Sequence, residues 1–163
     1  MADLVVINTG PLIILDRIGA LDVVAQLPYH LICPDQVRAE LDHGERVGHP
    51  RIAPSWLVVH PLKGPISPMI LASLDIGEAA VIHLALEEGI GTVCIDEWKG
   101  RRVALSCGLR VTGVLGLLGR AKKIGIIRAL KPFVEKAAEA GVYYHPDLVR
   151  AVLESAGEKV KSI

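Results

Sequence analysis

The sequence predicts an α/β protein, a three-layer α/β/α sandwich built on a mainly parallel central sheet. Three observations carry that expectation. Short aliphatic, β-favouring runs alternate with longer stretches of helical spacing along the 163-residue chain. The apolar runs stop at polar or turn residues and restart with a helical pattern, which is the layout of βαβ crossovers. The composition is 51% hydrophobic but only 4% aromatic, so the layers must be filled by Leu, Ile, Val and Ala. A chain of this length suits one domain with a substantial core, residues 1–163, closed by helices at about 129–156.

The elements follow in order. "LVVIN" at 4–8 reads as a buried strand ending on Asn8. Pro11 suits the first turn of the helix that follows, "PLIILDRIGALDVVAQLP", whose spacing breaks at Gly19. "LIC" at 31–33 is a short strand, and Pro34 opens the amphipathic helix "PDQVRAELDHG", stopped by Gly44. "ERVGHPRIAPSW" is a loop and "LVVHPL" a short strand. "GEAAVIHLALEEG" is a helix from Gly77 to Glu88 ended by Gly89, and "GTVCID" rises as a strand to Asp96. "KGRRVALSCG", "LRVTG" and "VLGLLGRAKKIG" then read as helix, strand and helix.

The bulk composition narrows the function classes. No apolar run approaches the ~20 residues that span a bilayer, and the start of the chain has no basic leader pattern. Cys33, Cys94 and Cys107 are odd in number and widely spaced in apolar surroundings, as buried thiols of a reducing, cytoplasmic environment are. The formal net charge is zero, but its distribution is uneven. Residues 1–98 carry thirteen acids against five bases, and residues 99–136 carry ten bases against Glu135 alone. A basic stretch beside an acidic one suits a phosphate backbone on one side and a cation on the other, although solvated helix faces give the same pattern.

Four positions invite a common explanation. Asn8 and Asp96 each close a strand, where open α/β sheets bind ligands. Glu78 opens a helix, and Glu40 lies among Val37 and Leu41 in another. Carboxylates clustered at such an edge need a cation, and hard oxygen donors suit Mg²⁺ or Mn²⁺, which activate water and stabilise charge on a phosphodiester. Each residue also has a structural account. Glu78 favours its helix dipole, Asp96 can cap the next helix, Asp75 can cap the helix at 77–88, and Glu40 can pair with Arg38.

The chain resembles PIN-domain proteins, specifically an uncharacterised PIN-like branch related to the toxin ribonucleases of toxin–antitoxin pairs. "VVINTGPLIILDRIGALDVV" is similar to the opening of that branch and "CPDQVRAEL" to its second acidic helix. "LDIGEAAVIHLALEEGIGTVCIDEWKGRRVALSCGLRVTGVLGLLGRAKKIGII" resembles its central signature, and "GVYYHPDLVRAVLESAGE" its C-terminal helix. The resemblance implies a divalent-metal-dependent endoribonuclease using Mg²⁺ or Mn²⁺, with Glu40, Glu78 and Asp96 as the metal-holding acids. It places Thr9 in a supporting hydroxyl position and Glu97 as an additional oxygen. Asn8 falls where the family's first aspartate belongs. An amide oxygen orients or coordinates but brings no negative charge, so the site is expected to be attenuated. The resemblance also implies an RNA substrate, an antitoxin protein as partner and a homodimer. The alternative it leaves is a non-catalytic PIN-like module that binds RNA or a protein.

Arg101 and Arg102, just after Asp96, are expected to hold RNA phosphates, and Lys122 and Lys123 either phosphates or a subunit contact. Trp98 reads as a wall on the substrate side. Gly113, Gly116 and Gly119 do not have the spacing of a phosphate loop and are expected to serve close helix packing. The six histidines lack metal spacing, His43 and His49 being the nearest pair.

Overall fold

A computed structural model of the chain describes residues 3–159. Its sheet has five strands: β1 (Asp3–Ile7), β2 (Tyr29–Pro34), β3 (Val58–His60), β4 (Thr92–Cys94) and β5 (Arg110–Thr112). They lie in the order β3-β2-β1-β4-β5, and every pair is parallel. Val5, Val6 and Ile7 of the central strand are all buried, as a strand covered on both faces requires. From β1 the chain steps outward to β2 and β3, then crosses back to β4 and out to β5. Parallel neighbours must be joined by crossover connections, and the helices that make them complete the three-layer α/β/α sandwich the sequence predicts.

The reversal of direction falls between β1 and β4, where Ile7 is in register with Cys94. Asn8 follows β1 directly, and its N–H donates to the Cys94 carbonyl at 3.0 Å. β4 is shorter than the sequence suggests, ending before Ile95, whose N–H donates to the Thr112 carbonyl beyond the end of the ladder. Asp96 is therefore delivered to the carboxyl edge on a short connection rather than on the strand itself.

The helices are α1 (Thr9–Arg17), α2 (Leu21–Ala25), α3 (Asp35–Arg46), α4 (Pro68–Ser73), α5 (Ile76–Glu88), α6 (Trp98–Ser106), α7 (Val114–Lys123), α8 (Lys131–Glu139) and α9 (Pro146–Ser155). α3 runs past Gly44, which was expected to stop it, and ends at Arg46. A single glycine inside a helix costs only about 1 kcal/mol, too little to end one that is otherwise packed. The six-residue α4 was not foreseen, being too short to show a helical period. α5 is buried from Gly77 through Ile82 and again at Leu84 and Ala85, with its carboxylates gathered at the two ends, so its middle is interior to the fold. It is anchored at both ends. The Asp75 carboxylate accepts from the Glu78 N–H at 2.9 Å. At the other end, Glu87 accepts from the Gly64 N–H at 3.1 Å and pairs with His83 at 2.7 Å, and Glu88 pairs with His60 at 2.9 Å.

The described residues form two compact units, 3–13 with 28–113 and 14–27 with 114–159. The first holds the sheet and α3 to α6. In the second, α7 touches α2 and α9. A groove of about 720 Å³ is lined there by Leu115, Gly116, Gly119, Val152 and Ser155. A Cβ on Gly119 would meet nothing, so this glycine opens the groove instead of serving the close helix packing expected of it. Lys122 is engaged within the same unit, where the Glu158 carboxylate accepts from its Nζ at 2.8 Å and from the Leu130 and Lys131 N–H groups at 2.7 and 3.1 Å. Glu158 thus satisfies the open amino end of α8. Cys33 and Cys94 are buried free thiols, and burial pushes Cys33 up to about 11. Among the described residues no helix is long and apolar enough to cross a membrane.

Burial pushes the Glu158 carboxyl up, but Lys122 and the two backbone donors outweigh it and hold it below its ordinary value. A depressed pKa contributes stability above the unfolded value and loses it as pH falls through the folded one. Glu158→Gln is expected to cost about 1–3 kcal/mol at neutral pH. Urea melts should show that difference shrinking below pH 4.5, the carboxyl's ordinary value.

Candidate functional site

The polar residues that the core tolerates are gathered at the carboxyl edge of the sheet. Asn8, Thr9 and Glu78 are the buried polar side chains among the described residues, at 5%, 9% and 8% exposure. Thr9 opens α1, and its Oγ1 donates to Glu40 Oε2 at 2.7 Å. This bond draws the α3 carboxylate toward the end of β1. The pairing of Glu40 with Arg38 is not formed. Arg38 bridges to Asp42 at 2.8 Å and donates to the Ile52 carbonyl at 2.8 Å.

Two glycines make room for the acids. A Cβ built on Gly77 would collide with the Glu40 carboxylate, lying 2.8 Å from its Cδ and 3.1 Å from Oε2. A Cβ on Gly100 would collide with Glu78 Oε2 and lie 2.9 Å from Ile95 Cγ2. The acid of α3 therefore rests on the backbone of α5, and the acid of α5 on the backbone of α6. Sequence reasoning named the acids and missed these seats. The available signal was two glycines inside helical patterns, where each needs a packing reason.

Burial raises the Glu78 carboxyl most strongly. Asp75 adds to it as hydrogen-bond partner and as a charge, and the Glu97 and Glu40 charges add further. Together they bring it to about 8, so it is mostly protonated at pH 7. Asp75 was expected only to cap α5, and it does so, but it also faces Glu78. Glu97 is exposed at the amino end of α6 and acts on Glu78 through its charge. Asp96 lies with one oxygen against the Gly113 backbone. Arg101 turns inward, its Nη1 donating to the Ile95 carbonyl at 2.8 Å. Arg102 faces solvent and covers the Trp98 ring at 4.8 Å.

These residues test the divalent cation that the sequence suggests. Asn8 Oδ1 and Glu78 Oε2 are buried without a hydrogen-bond partner among the described residues, and such oxygens suit a cation. Yet no three His, Cys, Asp or Glu side chains among the described residues form a group able to hold a metal ion. The amide at position 8 also brings no negative charge of its own to attract one. The donors present do not make a complete metal site.

A raised carboxyl pKa gives stability that is fully present below the unfolded value and lost as pH rises through the folded one. The stability of Glu78→Gln relative to the native chain should therefore increase between pH 4.5 and about 8, as read from denaturant melts. Gly100→Ala should lower stability. The Glu78 carboxyl end can move, but Cγ2 of the buried, β-branched Ile95, 2.9 Å away, cannot swing clear. This outweighs the roughly 0.5–1 kcal/mol by which alanine favours a helix over glycine. The new methyl displaces the Glu78 carboxylate toward water, and a carboxyl-carbon NMR titration should find its pKa back toward 4.5.

No curated protein and no solved structure matches the chain. A family model described as a PIN domain matches residues 4–158, which takes in the five strands save Asp3 and the whole acidic edge. By that match the chain belongs to the PIN-domain family.

Proposed function

We propose that the chain is a PIN-type module that binds single-stranded RNA beside its acidic sheet edge without depending on a bound metal. The observation that carries this reading is Trp98. It is 67% exposed in a chain with only two tryptophans, its ring lies under the Arg102 guanidinium, and Lys99 beside it also faces solvent. An indole flanked by cations offers an unpaired base a stacking surface and its phosphates a charge, which is how single strands are held without sequence readout. The incomplete set of metal donors fits binding better than cleavage.

A second reading is favoured by the unpartnered oxygens of Asn8 and Glu78. In it the chain is a toxin-type, Mg²⁺- or Mn²⁺-dependent endoribonuclease with an antitoxin partner. Glu40, Glu78 and Asp96 would hold the ion, with Asn8 lending its amide oxygen and Thr9 keeping Glu40 in place. The ion would supply charge stabilisation at a phosphodiester and activation of water.

Anisotropy of a short labelled single-stranded RNA in EDTA separates the two. Metal-free binding that weakens roughly 5- to 100-fold in Trp98→Ala, and also weakens in Arg102→Ala, supports the binding module. The nuclease reading replaces it if the RNA is cut in Mn²⁺ and calorimetry finds saturable Mn²⁺ binding that Asp96→Asn abolishes.

A further inference from the structure

Arg101 is the one basic residue of the α6 amino turn that does not face outward. Gly100 turns inward to seat Glu78, while Trp98, Lys99 and Arg102 face solvent. Arg101 is half-buried, and its Nη1 donates to the Ile95 carbonyl at 2.8 Å, directly before Asp96 in the chain. That same Nη1 lies 3.0 Å from the point a Cβ on Gly113 would occupy, and the point is also in contact with Asp96 Oδ1. The guanidinium and the carboxylate thus share one bare stretch of backbone. Buried Cys94, just below, senses both charges, with opposite signs.

We propose that Arg101 is the built-in countercharge of the acidic edge, a fixed cation that offsets Asp96 and opposes the approach of a divalent ion. An ion that settles beside Asp96 must approach a positive charge that cannot leave. The guanidinium is a cation by its chemistry, and its hydrogen bond to the Ile95 carbonyl holds the head beside Asp96. This rests on the metal-independent binding reading above and gives it a physical cause. Asn8 removes a negative charge from the edge and Arg101 adds a positive one, so the two act in the same direction.

The test is Mn²⁺ calorimetry on the full chain, comparing the native protein with Arg101→Gln and Arg101→Lys, each checked for folding by thermal melt. Arg101→Gln should bind Mn²⁺ at least tenfold more tightly than the native chain, and Arg101→Lys, which keeps the charge, should not. Adding Asp96→Asn to Arg101→Gln should remove the gain, locating the ion at Asp96. A folded Arg101→Gln with unchanged Mn²⁺ affinity overturns the proposal, as does an equal gain in Arg101→Lys. The comparison among variants remains decisive even if the native chain itself binds Mn²⁺, an outcome that would count against the binding module alone.

Discussion

Glu78 is buried at the carboxyl edge of the sheet while the exposed acids Asp75, Glu97 and Glu40 stand around it, so desolvation and like charges both disfavour its ionised form. Much of the local architecture around the sheet's carboxyl edge limits that repulsion. Thr9 gives Glu40 a hydroxyl to accept from, and Asp75 is occupied with the Glu78 N–H. Glu78 escapes by keeping its proton. Asn8, buried at the same edge, carries no charge at all. The edge is acidic in composition, and its buried carboxyl is the member whose charged form is disfavoured.

The fold explains why these groups meet. A doubly wound sheet leaves a crevice where its direction of winding reverses, and here that point lies between β1 and β4. Helices entering and leaving the crevice must pass close to one another, and a carboxylate lies between each pair. Glycine is the residue that lets a charged group lie directly on a neighbouring helix backbone. α5, buried through its middle, is the rigid member of this arrangement, clamped at Asp75 and at Glu87 and Glu88, so its first turn is a fixed reference for the residues around it.

Much of this was legible in the sequence. Short β-favouring runs and period-3.6 patterns located most of the elements, and Asn8, Glu78 and Asp96 stood out because strand ends and helix starts are where polar residues serve a crevice. Other features were not legible for identifiable reasons. Gly44 looks like a stop in one dimension, but the packing of α3 overrides its small helix cost. α4 is shorter than any period can reveal. Arg101 and Arg102 are neighbours of the same type, and only the helical phase that turns Gly100 inward shows that one faces the acidic edge and the other the solvent. The state of Glu78 depends on three acids distant in sequence or separated from it by a turn, which no local pattern encodes.

The seating of Glu40 on Gly77 has a consequence for how such a site can change over generations. Gly77 is the chain neighbour of Glu78, and Glu78 in turn rests on Gly100. The acids are therefore linked in series through covalent neighbours, and a replacement at one seat is transmitted to the next carboxylate. Substitutions along this series should combine non-additively, since the residues share contacts. A lineage could exchange the freestanding amide at Asn8 more readily than any interlocked acid, and the edge's charge would drift first at the position that carries none of the others.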